Sequence, residues 1–461
     1  MEATIKQVAA SYRDPAGYMY ELHGQLYRYV SKSYQQHYET AKVSGLYEEL
    51  VKKEHLLPFE EIYENHTHNT DWLITLQPPR ITPETLPAEW SFEQLKDAAL
   101  TTLTICMAAL EKGFILKDAT PQNIRFYKGR PVLIDHLSFE IYRDGAPWQA
   151  YRQFCEMQFY PLLLAHYRGI EVSRTLTAWP DGIPATTVNS LLPLQARLRV
   201  STLLHVVTPA RLSKKNRAAA VKEHPKSKLS KEGLLHILNN LHNTIQSLTP
   251  ASQKSGWSTY YEETILSNAY LSEKKKIVGA FVQQLQKETI LDAGCNDGVF
   301  TLLIPPTNNI IAADADETCI NNLYVHCRTQ KITHVFPIVL NLMQPTPASG
   351  WEHQEHKAFW ERCEFDTIMA LALIHHLSIS NNVPFEKIAA TFSRKAKQLL
   401  IEFVPKDDPK VMELLAHRTD IFSWYNQQHF EAAFSGYYTW DKPVAIPHSN
   451  RLLYLMKRKS F

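Results

Sequence analysis

The run Leu291-Asp292-Ala293-Gly294-Cys295-Asn296-Asp297-Gly298-Val299-Phe300 decides how the carboxy-terminal half of this chain is read. It follows a short apolar run at 289–291 and has the form DxGxNxG, a turn expected to open a helix. Gly294 and Gly298 permit a tight turn and leave bare backbone for a cofactor to lie against. Asp292 can orient both the turn and the amino-acid part of such a cofactor, with Asn296 in the same loop. The next strand ends at Asp314 in Ile311-Ala312-Ala313-Asp314, where a carboxylate can accept both hydroxyls of a ribose; Asp316 competes for that role. After the third strand, Asn341 in Val339-Leu340-Asn341-Leu342 stands where a polar side chain meets an adenine amino group. Each of Asp292, Asp314 and Asn341 is also a good turn or cap residue. Their joint spacing selects the ligand-binding reading.

Outward from the loop, apolar runs alternate with polar helical stretches. Residues 289–291, 310–313, 335–340, 365–373 and 398–404 predict five strands of a parallel sheet covered by helices. Residues 437–440 and 451–456 read as two extended segments joined through Lys442-Pro443 and Pro447-His448-Ser449-Asn450. A terminal antiparallel hairpin and the shorter glycine pattern favour a methyltransferase plan over a dehydrogenase plan. The expectation is an α/β, Rossmann-like seven-stranded methyltransferase domain over 276–461, with S-adenosyl-L-methionine as cofactor.

The fourth strand runs into Ala370-Leu371-Ala372-Leu373-Ile374-His375-His376-Leu377, ending where acceptor and methyl donor should meet. His375 and His376 are the best general-base candidates, because imidazole titrates near neutrality. On an extended strand they would point to opposite faces, so one is expected to face the site and the other to pack. Glu402, closing Leu400-Ile401-Glu402-Phe403-Val404, is a further candidate for binding or base work.

The phrases Asp-Ala-Gly-Cys-Asn-Asp-Gly, Ala-Leu-Ala-Leu-Ile-His-His-Leu, Ile-Glu-Phe-Val-Pro-Lys and Arg-Leu-Leu-Tyr-Leu resemble class I methyltransferases related to the nodulation host-specificity proteins of rhizobia. The likeness extends upstream through 90–100, 116–140 and 147–155, nearly the whole chain. It implies a bacterial cofactor-dependent methyltransferase with an accessory amino-terminal region, and selects no acceptor.

In the amino-terminal half, Phe114-Ile115-Leu116-Lys117-Asp118-Ala119-Thr120-Pro121-Gln122-Asn123 precedes Pro131-Val132-Leu133-Ile134-Asp135. Asp118 and Asn123 have the separation of the Asp and Asn of a kinase catalytic loop, and Asp135 ends a strand where kinases hold magnesium. This resembles the aminoglycoside phosphotransferase pattern. The element order agrees: a hairpin at His23-Gly24, a helix near 38–53, a strand at 72–76, then a helix over 92–112 and the loop. Departures are Leu116 in place of a histidine, Leu137 in place of a glycine, and no glycine-rich loop over the phosphates. Arg28 and Lys32 can neutralise phosphate. If the pattern is active, Asn123 and Asp135 hold the metal of Mg-ATP and Asp118 orients the acceptor hydroxyl; otherwise the three are turn residues. An α+β kinase-like accessory or substrate domain is expected over 1–210.

The chain has 461 residues, 44% of them hydrophobic, enough for two or three packed domains and too apolar for broad disorder. Its 49 basic and 47 acidic residues nearly cancel, so nucleic acid is not the expected partner; a small-molecule acceptor is, with a protein acceptor as the alternative. Cys106, Cys155, Cys295, Cys319, Cys327 and Cys363 show no metal-binding spacing and read as reduced thiols of a cytoplasmic protein. No stretch approaches the roughly 18 apolar residues of a membrane span, so no membrane partner is expected. The basic stretch 211–231 and a helix over 233–248 read as a linker, 211–275, leading into the second domain; Trp257, Tyr260, Tyr261 and Tyr270 either cover the cofactor or pack. The function that follows is methyl transfer to an oxygen or nitrogen. A bifunctional methyltransferase and kinase, and a non-catalytic cofactor-binding scaffold, are the alternatives.

Overall fold

The computed structural model describes residues 5–218, 229–251, 268–416 and 418–460. Trp257, Tyr260 and Tyr261 lie outside them, as does 219–228 of the basic stretch. The chain divides into two compact units, 1–253 with 348–357, and 254–347 with 358–461.

In the first unit, β1 (Lys6–Gln7), β2 (Gly17–Leu22), β3 (Gln25–Ser31), β4 (Glu60–Ile62) and β5 (Trp72–Gln77) form an antiparallel sheet in the order β1-β2-β3-β5-β4. His23 and Gly24, both at positive φ, make the two-residue turn between β2 and β3, matching the twist of the strands they join. The helix Phe92–Glu111 begins with a capping box between Ser91 and Gln94 and buries Leu95, Ala99, Cys106 and Leu110 along one face. Two small ladders follow: β6 (Phe114–Leu116) pairs with β9 (Phe139–Ile141), and β7 (Ile124–Tyr127) with β8 (Arg130–Leu133).

The helix Lys231–Ser247 differs from its expected role as connector. Leu234, Leu238, Leu241 and Ile245 recur on one face and are buried, the helix packs on Phe92–Glu111, and Lys96 Nζ donates to the Leu248 carbonyl at 2.7 Å. That apolar stripe makes it part of the first unit's core.

In the second unit, β10 (Thr289–Ala293), β11 (Asn309–Asp314), β12 (Val335–Val339), β13 (Phe365–Ala370) and β14 (Ala396–Phe403) are parallel. β15 (Tyr438–Trp440), β16 (Val444–Ala445) and β17 (Leu452–Arg458) follow. The order is β12-β11-β10-β13-β14-β17-β15, with β17 antiparallel to both neighbours and β16 a short addition on it. Continuous apolar runs, whose successive side chains point to opposite faces, explain why the sheet sits between two cores. Leu291, Ile311, Ile368 and Ile401 belong to one cluster, while Ile290, Ile310, Met369 and Leu400 belong to the cluster on the other face. Each such buried Ile or Leu contributes about 1.5–3 kcal/mol over being left in water.

Two local expectations are corrected. The loop after β10 opens no α-helix: it makes only a 3-10 turn, Thr301–Leu303, and the chain re-enters the sheet at Asn309. Pro305-Pro306 removes the N–H groups and the αR freedom a helix would need. The fourth strand stops at Ala370, and after Ala372 at φ 48° the chain turns helical, so His375 and His376 are not on an extended strand.

Candidate active site

The carboxyl ends of β10 and β11 are tied together by backbone hydrogen bonds. The N–H groups of Gly294 and Cys295 donate to the Ala313 carbonyl at 2.8 and 3.1 Å. The Asn296 N–H donates to Asp314 Oδ2 at 2.8 Å, and the Asp316 N–H to Asp314 Oδ1 at 2.9 Å. Asp314 thus closes its own turn and holds the glycine loop, while burial raises its carboxyl above the usual range. Asp316 is occupied as a helix cap, accepting from Thr318 and Cys319 at the start of Glu317–Gln330. The two acids therefore differ in local partners: Asp316 caps a helix, and Asp314 faces the loop.

Gly294 and Gly298 both adopt positive φ, at 76° and 83°. A Cβ on Gly294 would stand 3.2 Å from Leu373 Cδ1, and one on Gly298 2.5 Å from Leu323 Cδ1. Bareness at Gly298 thus serves close packing against the helix that carries Leu323. Asn296, also left-handed, accepts from the Asp297 N–H at 2.7 Å. Asp297 leaves Oδ1 buried with no hydrogen-bond partner, and burial raises its carboxyl. Asp292 is buried beneath the loop, where its Oδ2 accepts from Thr301 Oγ1 at 2.5 Å. Burial pushes its carboxyl up to about 7. Asn341 is exposed after β12, and its Oδ1 accepts from the Met343 N–H at 2.9 Å.

His375 and His376 stand side by side, ring centroids 4.1 Å apart. Burial holds the His375 imidazole well below its ordinary range, with His376 adding to the effect, and neither of its ring nitrogens has a hydrogen-bond partner. His376 is held near 4, first by burial and then by Arg451. Both are therefore neutral at pH 7.

Glu402 sits at the centre of a buried network that sequence reasoning did not assemble. Its Oε1 accepts from Tyr270 Oη at 3.0 Å and Arg451 Nη1 at 3.3 Å, and its Oε2 from Lys274 Nζ at 2.6 Å and the Ala372 N–H at 2.8 Å. Arg451 also grips Asp408 through Nε at 2.7 Å and Nη2 at 3.0 Å. Burial alone would raise the Glu402 carboxyl, but Lys274 and Arg451 hold it at about 2. With four donors on its oxygens and its proton lost, Glu402 is poorly suited to base work. It anchors the turn at Ala372 that leads to the histidines. Tyr270 thus packs into this network.

In the first unit, Asp118 and Asn123 lie in the loop between β6 and β7, and Asp135 follows β8; the Ile134 N–H donates to the Asn123 carbonyl at 2.9 Å. The loop bearing Asp118 and Asn123 thus lies beside Asp135, whose carboxylate is engaged by a cation. Arg28, buried on β3, bridges Asp135 at 2.9 Å and Asp14 at 2.7 Å, and Asp135 also accepts from the Leu137 N–H and Ser138 Oγ. The guanidinium keeps the Asp135 carboxyl below its usual range against the effect of burial. A buried guanidinium is thus already paired with one oxygen of Asp135. Lys117 adds a second cation, 3.2 Å from Asp14, and Lys32 is turned to the Thr70 carbonyl. Among the described residues no group of three or more His, Cys, Asp or Glu is placed to hold a metal.

No family model matches the chain. It is 32% identical to the nodulation protein NoeA of Rhizobium meliloti strain 1021 over 461 residues, 98% of this chain and 96% of the relative. Among solved structures it is similar to the N-methyltransferase NodS of Bradyrhizobium japonicum WM9, at 13% identity over 42% of this chain and 99% of that one, TM-score 0.31. It is also similar to the magnesium protoporphyrin IX methyltransferase ChlM of Synechocystis PCC 6803 with bound SAH, at 14% over 44% and 93%, TM-score 0.32. A third is the bifunctional kinase-methyltransferase WbdD, at 15% over 41% and 38%, TM-score 0.28. The fold assignment rests on the strand order itself, five parallel strands closed by an antiparallel pair. The chain belongs to the NoeA nodulation-protein family, and its second unit has the fold of a class I S-adenosylmethionine-dependent methyltransferase.

Proposed function

We propose that the second unit binds S-adenosylmethionine across the β10 and β11 loops and transfers its methyl group to an oxygen or nitrogen of a small-molecule acceptor. The observation that carries this reading is the 2.8 Å bond from the Asn296 N–H to the Asp314 carboxylate, which makes the glycine loop and the acid one continuous rim. The residues suit the cofactor: two glycines at positive φ, a buried Asp297 oxygen lacking a partner, and a carboxylate at the strand end. When bound, the cofactor supplies a methyl already activated on a sulfonium, so the protein's share is alignment and exclusion of water.

In this reading the lone pairs of Asp314 not used by the loop accept the ribose hydroxyls, Asn341 meets the adenine from the turn after β12, and Asp292 holds the loop through Thr301. Neutral His375 can accept a hydrogen bond from a hydroxyl or amine through a ring nitrogen and so orient the acceptor, while burial keeps both imidazoles weak as proton acceptors. Glu402 serves them indirectly by fixing the Ala372 turn. Calorimetry of the full chain with S-adenosylmethionine tests the reading: saturable binding supports it, and no binding overturns it.

The loop bearing Asp118 and Asn123, next to Asp135, favours a second reading in which the first unit is kinase-like. Arg28 counts against magnesium there, so we favour an accessory role. Binding of Mg-ATP alongside S-adenosylmethionine would support a bifunctional enzyme. Cofactor binding without turnover of metabolite extracts would support a scaffold.

A further inference from the structure

Three helical stretches of the first unit, Val200–Thr202, the π-helical Leu203–Val207 and Thr208–Ala218, follow one another without a break. Their inward side buries Thr202, His205, Val206 and Ala210. Their outward side is apolar as well: Val200, Leu203, Leu204 and Leu212 are exposed, and Leu194 and Leu198 just before them are each 67% exposed. Val200, Leu204, Thr208 and Leu212 recur at helical spacing, so they form a stripe rather than scattered points. Single exposed leucines are ordinary, but a contiguous apolar face marks an interaction surface.

The charge on the same stretch is of one sign. Residues 194–218 contain Arg197, Arg199, Arg211, Lys214, Lys215 and Arg217 and no aspartate or glutamate, in a chain whose charges otherwise nearly balance. Among the described residues Arg197, Arg199 and Arg211 are in no ion pair; Arg197 Nε donates to the Leu192 carbonyl and Arg199 lies over the Tyr167 ring. Aliphatic side chains facing water beside uncompensated cations are the composition of a helix that lies in a membrane interface. A two-fold interface with a second copy would set like charges against each other. RNA would call for aromatic stacking platforms, and the exposed stripe is aliphatic.

We propose that the face formed by 194–212 docks on an anionic lipid surface, its leucines entering the headgroup boundary while its arginines meet lipid phosphates. This is surface association. No helix among the described residues is long and apolar enough to cross a membrane. It departs from the expectation of no membrane partner, which rested only on the absence of a span.

Co-sedimentation of the full chain with vesicles of phosphatidylcholine, with and without phosphatidylglycerol, tests the proposal. Binding to the anionic vesicles should exceed binding to the neutral ones by about ten-fold or more and weaken as salt rises. The pairs Leu198→Glu with Leu204→Glu, and separately Arg197→Ala with Arg199→Ala, should each abolish most of it; the leucine pair should keep the parent's Tm, while the arginine pair, losing its Leu192 and Tyr167 contacts, should lower it but keep the parent's circular dichroism spectrum. Equal binding to both vesicle types, no binding to either, or undiminished binding by both variants overturns it. So does a concentration-dependent dimer, or retention on RNA, that the leucine variant abolishes while vesicles remain unbound.

Discussion

The backbone N–H of Asn296 donates to the carboxylate of Asp314 at 2.8 Å, so the loop after β10 and the acid ending β11 cannot move independently. Two residues 18 positions apart in sequence become one continuous rim, and changes at either should be felt by the other.

Replacing Asp314 with Ala should weaken S-adenosylmethionine binding by about 2 kcal/mol, through loss of charge-assisted hydrogen bonds and of the loop's anchor. Asp314→Asn keeps an oxygen for the Asn296 N–H and should lose less. Calorimetry on both variants measures this; unchanged affinity in the alanine variant rejects the assignment.

Glu402→Ala strips a buried carboxylate from Lys274 and Arg451, leaving cations that Asp408 neutralises only in part. Removing one partner of such a network costs about 3–5 kcal/mol. Denaturant unfolding should show it, and the double variant Lys274→Met with Glu402→Leu should lose less than the sum of the single changes.

The two buried acids give opposite pH dependence. Glu402, held at about 2, is ionised in the fold at pH values where the unfolded chain is already taking up protons. Its contribution is present above about pH 4.3 and is lost as pH falls towards 2. Asp292, raised to about 7, keeps its proton in the fold after the unfolded chain has released it. It therefore makes stability fall as pH rises from about 4 through 7. Urea midpoints for Asp292→Asn should lose that decline, and a profile identical to the parent's would refute the sign.

Gly298→Ala combines a left-handed backbone with a methyl 2.5 Å from Leu323 Cδ1, and should cost about 1–3 kcal/mol. Adding Leu323→Ala should relieve the clash but leave the backbone strain. If Gly298→Ala costs as much in the Leu323→Ala background as in the parent, the steric part of the explanation is wrong.

Strands were legible because continuous apolar runs such as 310–313 mark a sheet buried on both faces, and the hairpin turn because His23-Gly24 suits positive φ. The loop after β10 was legible as a turn but not as a turn without a helix, because the glycine pattern is shared by both and only Pro305-Pro306 downstream stops the helix. The histidine pair was visible as chemistry, yet its geometry was not, because the apolar run continues past Ala370 while the backbone turns at Ala372. Arg28 was seen as a cation for phosphate, whereas folding commits it to Asp14 and Asp135.

By itself the order of residues determined the parallel sheet with its antiparallel close, the glycine turn and the acid that follows one strand later, because these depend on local periodicity and backbone freedom. Only tertiary structure decided which partners the charged groups keep. Glu402 meets Tyr270, Lys274 and Arg451 from segments far apart in the chain, and the histidines lose their charge because the fold buries them. Burial and long-range pairing set the electrostatics, and no spacing along the chain encodes either one alone.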